Sequence, residues 1–216
     1  MSYIGIIGAK RLDRHGASCG LIDTYNKAME LKQKGMEMHF VKKETGWEMG
    51  CDGKWRYEIE DPFHTALWIE DYIKRYFGEP INIRYCMRNT DLLVAYPEFE
   101  RLQLFALYAK TNIWIGYFDP NRYAMVVCMG TIKSPFEQQT EGILLHEVQH
   151  LIQDVEDFAR GGNLSLGYDR YYRLAGEVEA RNICLRHFLS DTERREKLRT
   201  DTQDVKDVEQ IIRFYS

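Results

Sequence analysis

Apolar residues recur along the chain in two periods, and the change from one to the other outlines the elements. Leu21 to Gly35 has the spacing of an amphipathic helix that ends on a glycine. In 46–59, Asp52-Gly53 precedes alternating Trp55, Tyr57 and Ile59, which predicts a hairpin with a half-buried second strand. Phe63, Leu67, Ile69, Ile73 and Phe77 predict a helix over 62–77, stopped by Gly78-Glu79-Pro80. Ile81 to Arg84 reads as a short strand and 96–99 as a break, and the state of Arg101 to Leu107 stays open. Ile113 to Phe118 and Tyr123 to Met129, joined by Asp119-Pro120-Asn121-Arg122, predict a β-hairpin.

A long helix follows. Ser134, Pro135 and Glu137 occupy the N-cap, N1 and N3 positions of a capping box, and Gly161-Gly162 supplies a stop, so the helix is expected from about 135 to 160. Asn163 to Tyr168 reads as loop and Tyr171 to Leu189 as a second core helix. From Ser190 the chain turns polar. The mixed-sign run Thr192 to Arg199 reads as a solvated helical face, with Val208, Ile211, Ile212 and Phe214 as residues that dock the tail. The expected organisation is a helical N-terminal segment with its hairpin over 1–60, a body over 61–189 and a charged tail over 190–216.

The chemistry is concentrated in the long helix. His146-Glu147-Val148-Gln149-His150 spells HExxH, and on a helix positions i and i+4 share a face, so the two imidazoles can hold one divalent ion. Glu147 lies beside them and is placed to take a proton from water activated by Zn2+. A solvated surface helix could spell the same five letters by chance. Leu144, Leu145, Val148, Leu151, Ile152 and Val155 instead put this helix in a core.

A catalytic zinc site needs a third protein ligand. Glu177 and Glu179 lie on the next helix, about 200° apart around its axis, so only one can face the ion. Glu177 is favoured because small Gly176 and Ala180 flank it and permit close approach, which leaves Glu179 to pair with Arg181 or to support a ligand histidine. His187 is the rival ligand. Tyr168, Tyr171 and Tyr172 are candidate donors to an oxyanion.

Composition narrows the class. The 216 residues, 44% hydrophobic and 29% charged, are those of a globular chain with a sizeable core. A net charge of −4 gives no nucleic-acid footprint. No apolar run approaches the ~20 residues of a bilayer span, and the N-terminus lacks the regions of a signal peptide, so cytoplasmic action without a membrane partner is expected. The five cysteines form no C-x-x-C pair and are read as free thiols, with Cys19 as a conceivable blocking ligand of a latent metal site. Gly5, Gly8 and Gly16 lack the spacing of a phosphate loop.

Several segments together resemble a known family. His146 to His150 with Leu144-Leu145, Phe158 to Asn163, Ala175 to Asn182, Thr45-Gly46-Trp47, Asp52 to Ile59, Tyr96-Pro97-Glu98 and Thr202 to Val205 are similar to the zinc-peptidase-like large polyvalent protein-associated domain of phages and mobile elements. The resemblance implies an α+β zincin-like metallopeptidase fold, with a small mixed or antiparallel sheet packed on a central HExxH helix. It further implies a metallopeptidase but supplies no substrate; the residues themselves give His146, His150 and Glu177 as the expected zinc ligands and Glu147 as the expected catalytic base, and peptide-bond hydrolysis makes a protein or peptide the expected substrate. A non-catalytic or latent zinc-containing module is the alternative. The family pattern also contains Arg160-Gly161-Gly162, which would bring a guanidinium near the cleft, although a helix C-terminus favours a cation in any case.

Overall fold

A computed structural model describes residues 5–10, 12, 19–59, 72, 75, 76, 78–87, 93, 96–108, 115–129 and 136–214. The fold is mixed α+β with two small sheets. The first sheet joins β1 (Gly5–Ile7), β2 (Trp47–Met49) and β3 (Trp55–Ile59) in the antiparallel order β1-β3-β2. Helices α1 (Cys19–Gln33) and α2 (Met38–Thr45) pack on each other and on this sheet. The second sheet has the order β4-β5-β7-β6, built from β4 (Pro80–Asn82), β5 (Gln103–Tyr108), β6 (Ile115–Asp119) and β7 (Ala124–Met129). β5 runs parallel to β7, and the other pairings are antiparallel.

The run left open at 101–107 is therefore strand β5, preceded by a 3-10 turn over Pro97–Arg101. The expected strand at 81–84 is shorter and starts earlier, because Ile83 enters a 3-10 turn that the Asn82 side chain caps at the Arg84 N–H. Of the helix expected over 62–77 only positions 72, 75 and 76 are described, 72 and 75 of them helical, and the Ser134-Pro135 cap lies outside the described residues.

The motif helix α3 spans Phe136–Glu156. It stops well before Gly161-Gly162. Asp157 takes the left-handed conformation at φ 54°, and the Phe158 N–H bonds to the Gln153 carbonyl at 2.9 Å, the 6→1 bond of a Schellman cap. This early stop frees 158–162 to turn back as extended chain. α3 buries Leu144, Leu145, Val148, Leu151 and Ile152 in a core shared with Leu104, Ala106, Met125 and Val127 of the second sheet.

The predicted helix over 171–189 is divided. A short α4 (Tyr168–Tyr172) ends before Leu174, which is extended at ψ 128°, and α5 (Ala175–Arg186) then packs along α3. The interruption comes from the tail: Ile211 forms a parallel bridge with Leu174, its N–H bonding to Arg173 and its carbonyl accepting from Ala175. Of the expected docking residues Ile211 docks through its backbone, whereas Val208 is 92% exposed.

The run 192–199 is a solvated face only in part: in α6 (Asp191–Glu196) and the turn after it Thr192, Arg195, Glu196 and Lys197 are exposed, whereas Arg194 and Arg199 are buried. The expected hairpin forms as β2–β3 with Trp55, Tyr57 and Ile59 half-buried; Glu58 is half-buried too, and Arg56 is the buried position. Both faces of the first sheet are covered. One packs Trp47 and Tyr57 against Tyr25 of α1, and the other turns Glu48, Arg56 and Glu58 towards α5 and the tail.

Between them lies a buried chain of alternating charge. Lys42 contacts Glu48 and, at 3.5 Å, Glu58. Glu58 takes the fork of Arg186, and Glu48 accepts from the Arg199 backbone N–H at 2.9 Å. Arg199 reaches Glu179 at 2.6 Å, Glu179 accepts from Arg56 at 2.9 Å, and Arg56 grips Asp52 through two bonds of 2.6 and 2.7 Å. Cations and carboxylates balance along the chain, the condition under which buried ions are tolerated.

Candidate metal centre

Helix periodicity brings His146 and His150 together on one side of α3, with their Nε2 atoms 3.2 Å apart. The chain then reverses through 157–162, and α5 presents Glu177 to the same point. Its Oε2 lies 3.4 Å from His146 Nε2 and its Oε1 3.4 Å from His150 Nε2. Among the described residues these three form the grouping of His, Cys, Asp and Glu that could hold an ion.

The donor set fits zinc. Ligands about 2.0–2.1 Å from a tetrahedral ion stand roughly 3.3 Å from one another, close to the separations here. Glu177 Oε2 is moreover buried without a hydrogen-bond partner, whereas Oε1 accepts from the Gly162 N–H at 2.9 Å. A buried carboxylate oxygen left unsatisfied costs energy unless a cation meets it. Burial alone would raise the Glu177 pKa. The facing His150 charge, the contact with His146 and the Gly162 N–H outweigh it and hold the carboxyl at about 2.

Two glycines set this closeness. A Cβ on Gly161 would fall under 3.0 Å from Glu177 Oε1 and His150 Cε1, and one on Gly176 would fall under 3.0 Å from backbone atoms of Ala159, Arg160 and Gly161. The start of α5 therefore rests directly on the extended strand of chain that leaves α3.

His150 is held from behind. His150 Nδ1 lies 2.9 Å from Gln153 Oε1, and Gln153 Nε2 donates to the Gly176 carbonyl at 2.9 Å and to Glu179 Oε1 at 3.2 Å. Gln149 donates to the same oxygen of Glu179 at 3.0 Å. Glu179 thus faces away from the histidine pair and supports it indirectly. Arg181 pairs with Asp204 at 2.7 Å instead of with Glu179. His187 stands at the far end of α5 and is not in the cluster. Gln153 has no motif to mark it in the sequence, only its spacing one turn beyond Gln149 and His150 on the same helix; Arg56 lies in the resemblance segment Asp52 to Ile59, which gives it no role.

Glu147 is 4% exposed and lies between α3 and the edge strand β6, where a Cβ on Gly116 would stand 2.7 Å from its Oε1. Burial pushes its pKa up, against the two histidines and a bond from the Phe118 backbone N–H. Of the three candidate tyrosines, Tyr171 stands beside this centre. Burial first, and then the Glu177 and Glu147 charges, keep its phenolic proton in place. Tyr168 and Tyr172 stack on each other with ring centroids 5.8 Å apart. Arg160 pairs with Asp154 at 2.5 Å. Cys19 begins α1 and does not lie in a turn, and its side chain is outside the described residues. Burial pushes the thiols of Cys86 and Cys184 up to about 12 and that of Cys51 to about 11.

Residues 9–65 match the family described as large polyvalent protein associated domain 23. This similarity supports an association with phage polyvalent proteins and covers α1, α2 and the β2–β3 hairpin, where Lys42, Glu48, Asp52, Arg56 and Glu58 reside. Neither the curated proteins nor the solved structures include a match to the chain. Among the described residues no helix is long and apolar enough to cross a membrane.

Proposed function

We propose that the chain is a zinc-dependent metallopeptidase of zincin-like fold. The observation that carries this reading is the convergence of His146, His150 and the unsatisfied Glu177 Oε2, with the desolvated carboxyl of Glu147 on the same helix. Zinc, when bound, supplies an electrophile that acidifies water and polarises the scissile carbonyl. His146, His150 and Glu177 would hold it. Glu147 takes the proton from the attacking water as the new C–O bond forms, then delivers it to the amine as the C–N bond breaks. Burial raises its pKa above the ordinary carboxylate value, the direction that favours handing the proton on.

Among the described residues β6 pairs with β7 alone, and its other edge, where the Phe118 N–H meets Glu147, is the candidate rail for an extended peptide. The Tyr171 phenol, which keeps its proton, is the candidate donor to the oxyanion. Replacement of Glu147 by Gln tests the assignment: zinc content should be retained and cleavage of a peptide library lost. Undiminished turnover would rule the mechanism out.

The match of residues 9–65 favours a second reading, a zinc-containing module of a polyvalent protein that binds without cleaving. A fourth protein ligand in a zinc-bound structure would support it, and a water ligand would support the enzyme.

A further inference from the structure

The peptidase reading assigns no task to the segment 9–65. We propose that Arg56, from that segment, is a positioning residue for the metal centre, acting through Glu179 and Gln153 to fix the tautomer and orientation of His150.

The polar ends of the Gln153 side chain fix the direction of the effect. Its Nε2 faces the Gly176 carbonyl at 2.9 Å and Glu179 Oε1 at 3.2 Å. A carbonyl accepts only, and so does an ionised carboxylate, so this end must be the amide nitrogen. The carbonyl end therefore faces His150 Nδ1 at 2.9 Å, and Nδ1 must carry the proton. Nε2 is left with its lone pair towards His146 and Glu177. Gln149 donates to the same Glu179 oxygen at 3.0 Å, so the carboxylate stands fixed behind the Gln153 amide.

Arg56 holds Glu179 in place. Its Nε donates to Glu179 Oε2 at 2.9 Å, while its two terminal nitrogens hold Asp52 at 2.6 and 2.7 Å. The guanidinium plane lies 3.5 Å from the centroid of Phe158, just after the α3 cap. Arg56 thus has donors committed on two sides and an aromatic ring against its face, so Glu179 meets a cation that cannot swing away. Arg199 supports the same oxygen at 2.6 Å from the tail.

In function this inference rests on the zinc reading, but the tautomer is fixed without the metal, and the test separates the two. Metal-free wild type, Arg56→Met, Arg56→Lys, Gln153→Leu and the core variant Val41→Ala would be compared by long-range proton–nitrogen spectra of the imidazoles at alkaline pH. Zinc affinity would be measured on the same proteins by competition with a chromophoric chelator. Wild type and Val41→Ala should show His150 protonated at Nδ1 and bind zinc alike. Gln153→Leu should give a mixed tautomer and a 10- to 100-fold weaker affinity. Arg56→Met should shift both readouts the same way by about tenfold in affinity, and Arg56→Lys, which cannot span Asp52 and Glu179, should follow with a smaller change. Wild-type spectra and affinity in both folded Arg56 variants would overturn the proposal. So would a loss in Val41→Ala equal to theirs, which would make the effect one of general stability. A wild type that takes up no zinc would defeat the metal reading, and the spectra would still decide the role of Arg56.

Discussion

Gly176 and Gly161 touch through their backbones: a Cβ on Gly176 would lie under 3.0 Å from the Gly161 nitrogen. The obstructing atoms are main chain, so they cannot rotate away as a flexible side chain would. Gly176→Ala is expected to push the first turn of α5 outward and carry Glu177 from the histidines. Urea denaturation should show a loss of about 1–3 kcal/mol, the usual cost of overpacking, together with weakened zinc binding. Wild-type values for both would mean that the contact is not tight.

Arg186 is fully buried and holds the polar C-terminal run to the body. Its fork meets Glu58, and its remaining donors reach the carbonyls of Arg194, Lys197 and Leu198. Arg186→Met would leave Glu58 with fewer counter-charges and three carbonyls without this donor. A destabilisation of about 3–5 kcal/mol is expected, as for other broken buried pairs. Hydrogen exchange should quicken in 190–205 before the rest of the chain.

The acid limb of stability follows from Asp52 and Glu58. Burial would raise both carboxyls, but Arg56 and the Ala159 N–H at Asp52, and Lys42 and Arg186 at Glu58, hold both below their ordinary values. A depressed folded-state pKa contributes stability that is present above the unfolded value and is lost as pH falls towards the folded one. The urea midpoint of metal-free protein should therefore drop as pH falls below about 4.5, the ordinary value of Glu58. Asp52→Asn and Glu58→Gln should each be less stable at neutral pH and show a shallower drop. A midpoint unchanged down to pH 3 would contradict this assignment.

These two carboxylates also mark how far the sequence could be read. The HExxH spacing and its apolar flanks already imply a buried helix with both histidines on one side, and the i, i+4 geometry is local enough to need no tertiary information. Small Gly176 beside Glu177 implies a close approach of its helix, and the tight contact it makes is with the extended chain at Ala159, Arg160 and Gly161. The charged positions of β3 and of 192–199 were less legible. Alternation of polar and apolar residues normally marks a solvated face, and only the chain reversal after Asp157 and the return of the tail to Leu174 turn Arg56, Glu58 and Arg199 inward. Gly161-Gly162 is the stop that the sequence offers α3, but the helix ends earlier, where Asp157 adopts the left-handed turn and pairs with Lys10 at 2.6 Å.

Tyr171 allows a kinetic test of the oxyanion role. Tyr171→Phe keeps the ring and removes the donor. It should retain zinc and KM while kcat falls by about 10²–10³, the size seen when one such donor is deleted. An unchanged kcat would leave Tyr171 as a packing residue.

The zinc centre is tested most directly by counting the metal. Elemental analysis of protein purified without chelator and dialysed against micromolar zinc should give one zinc per chain for wild type and for Glu147→Gln, and little or none for Glu177→Ala or His150→Ala. Wild type without zinc, or Glu177→Ala with as much zinc as wild type, would contradict the His146–His150–Glu177 site.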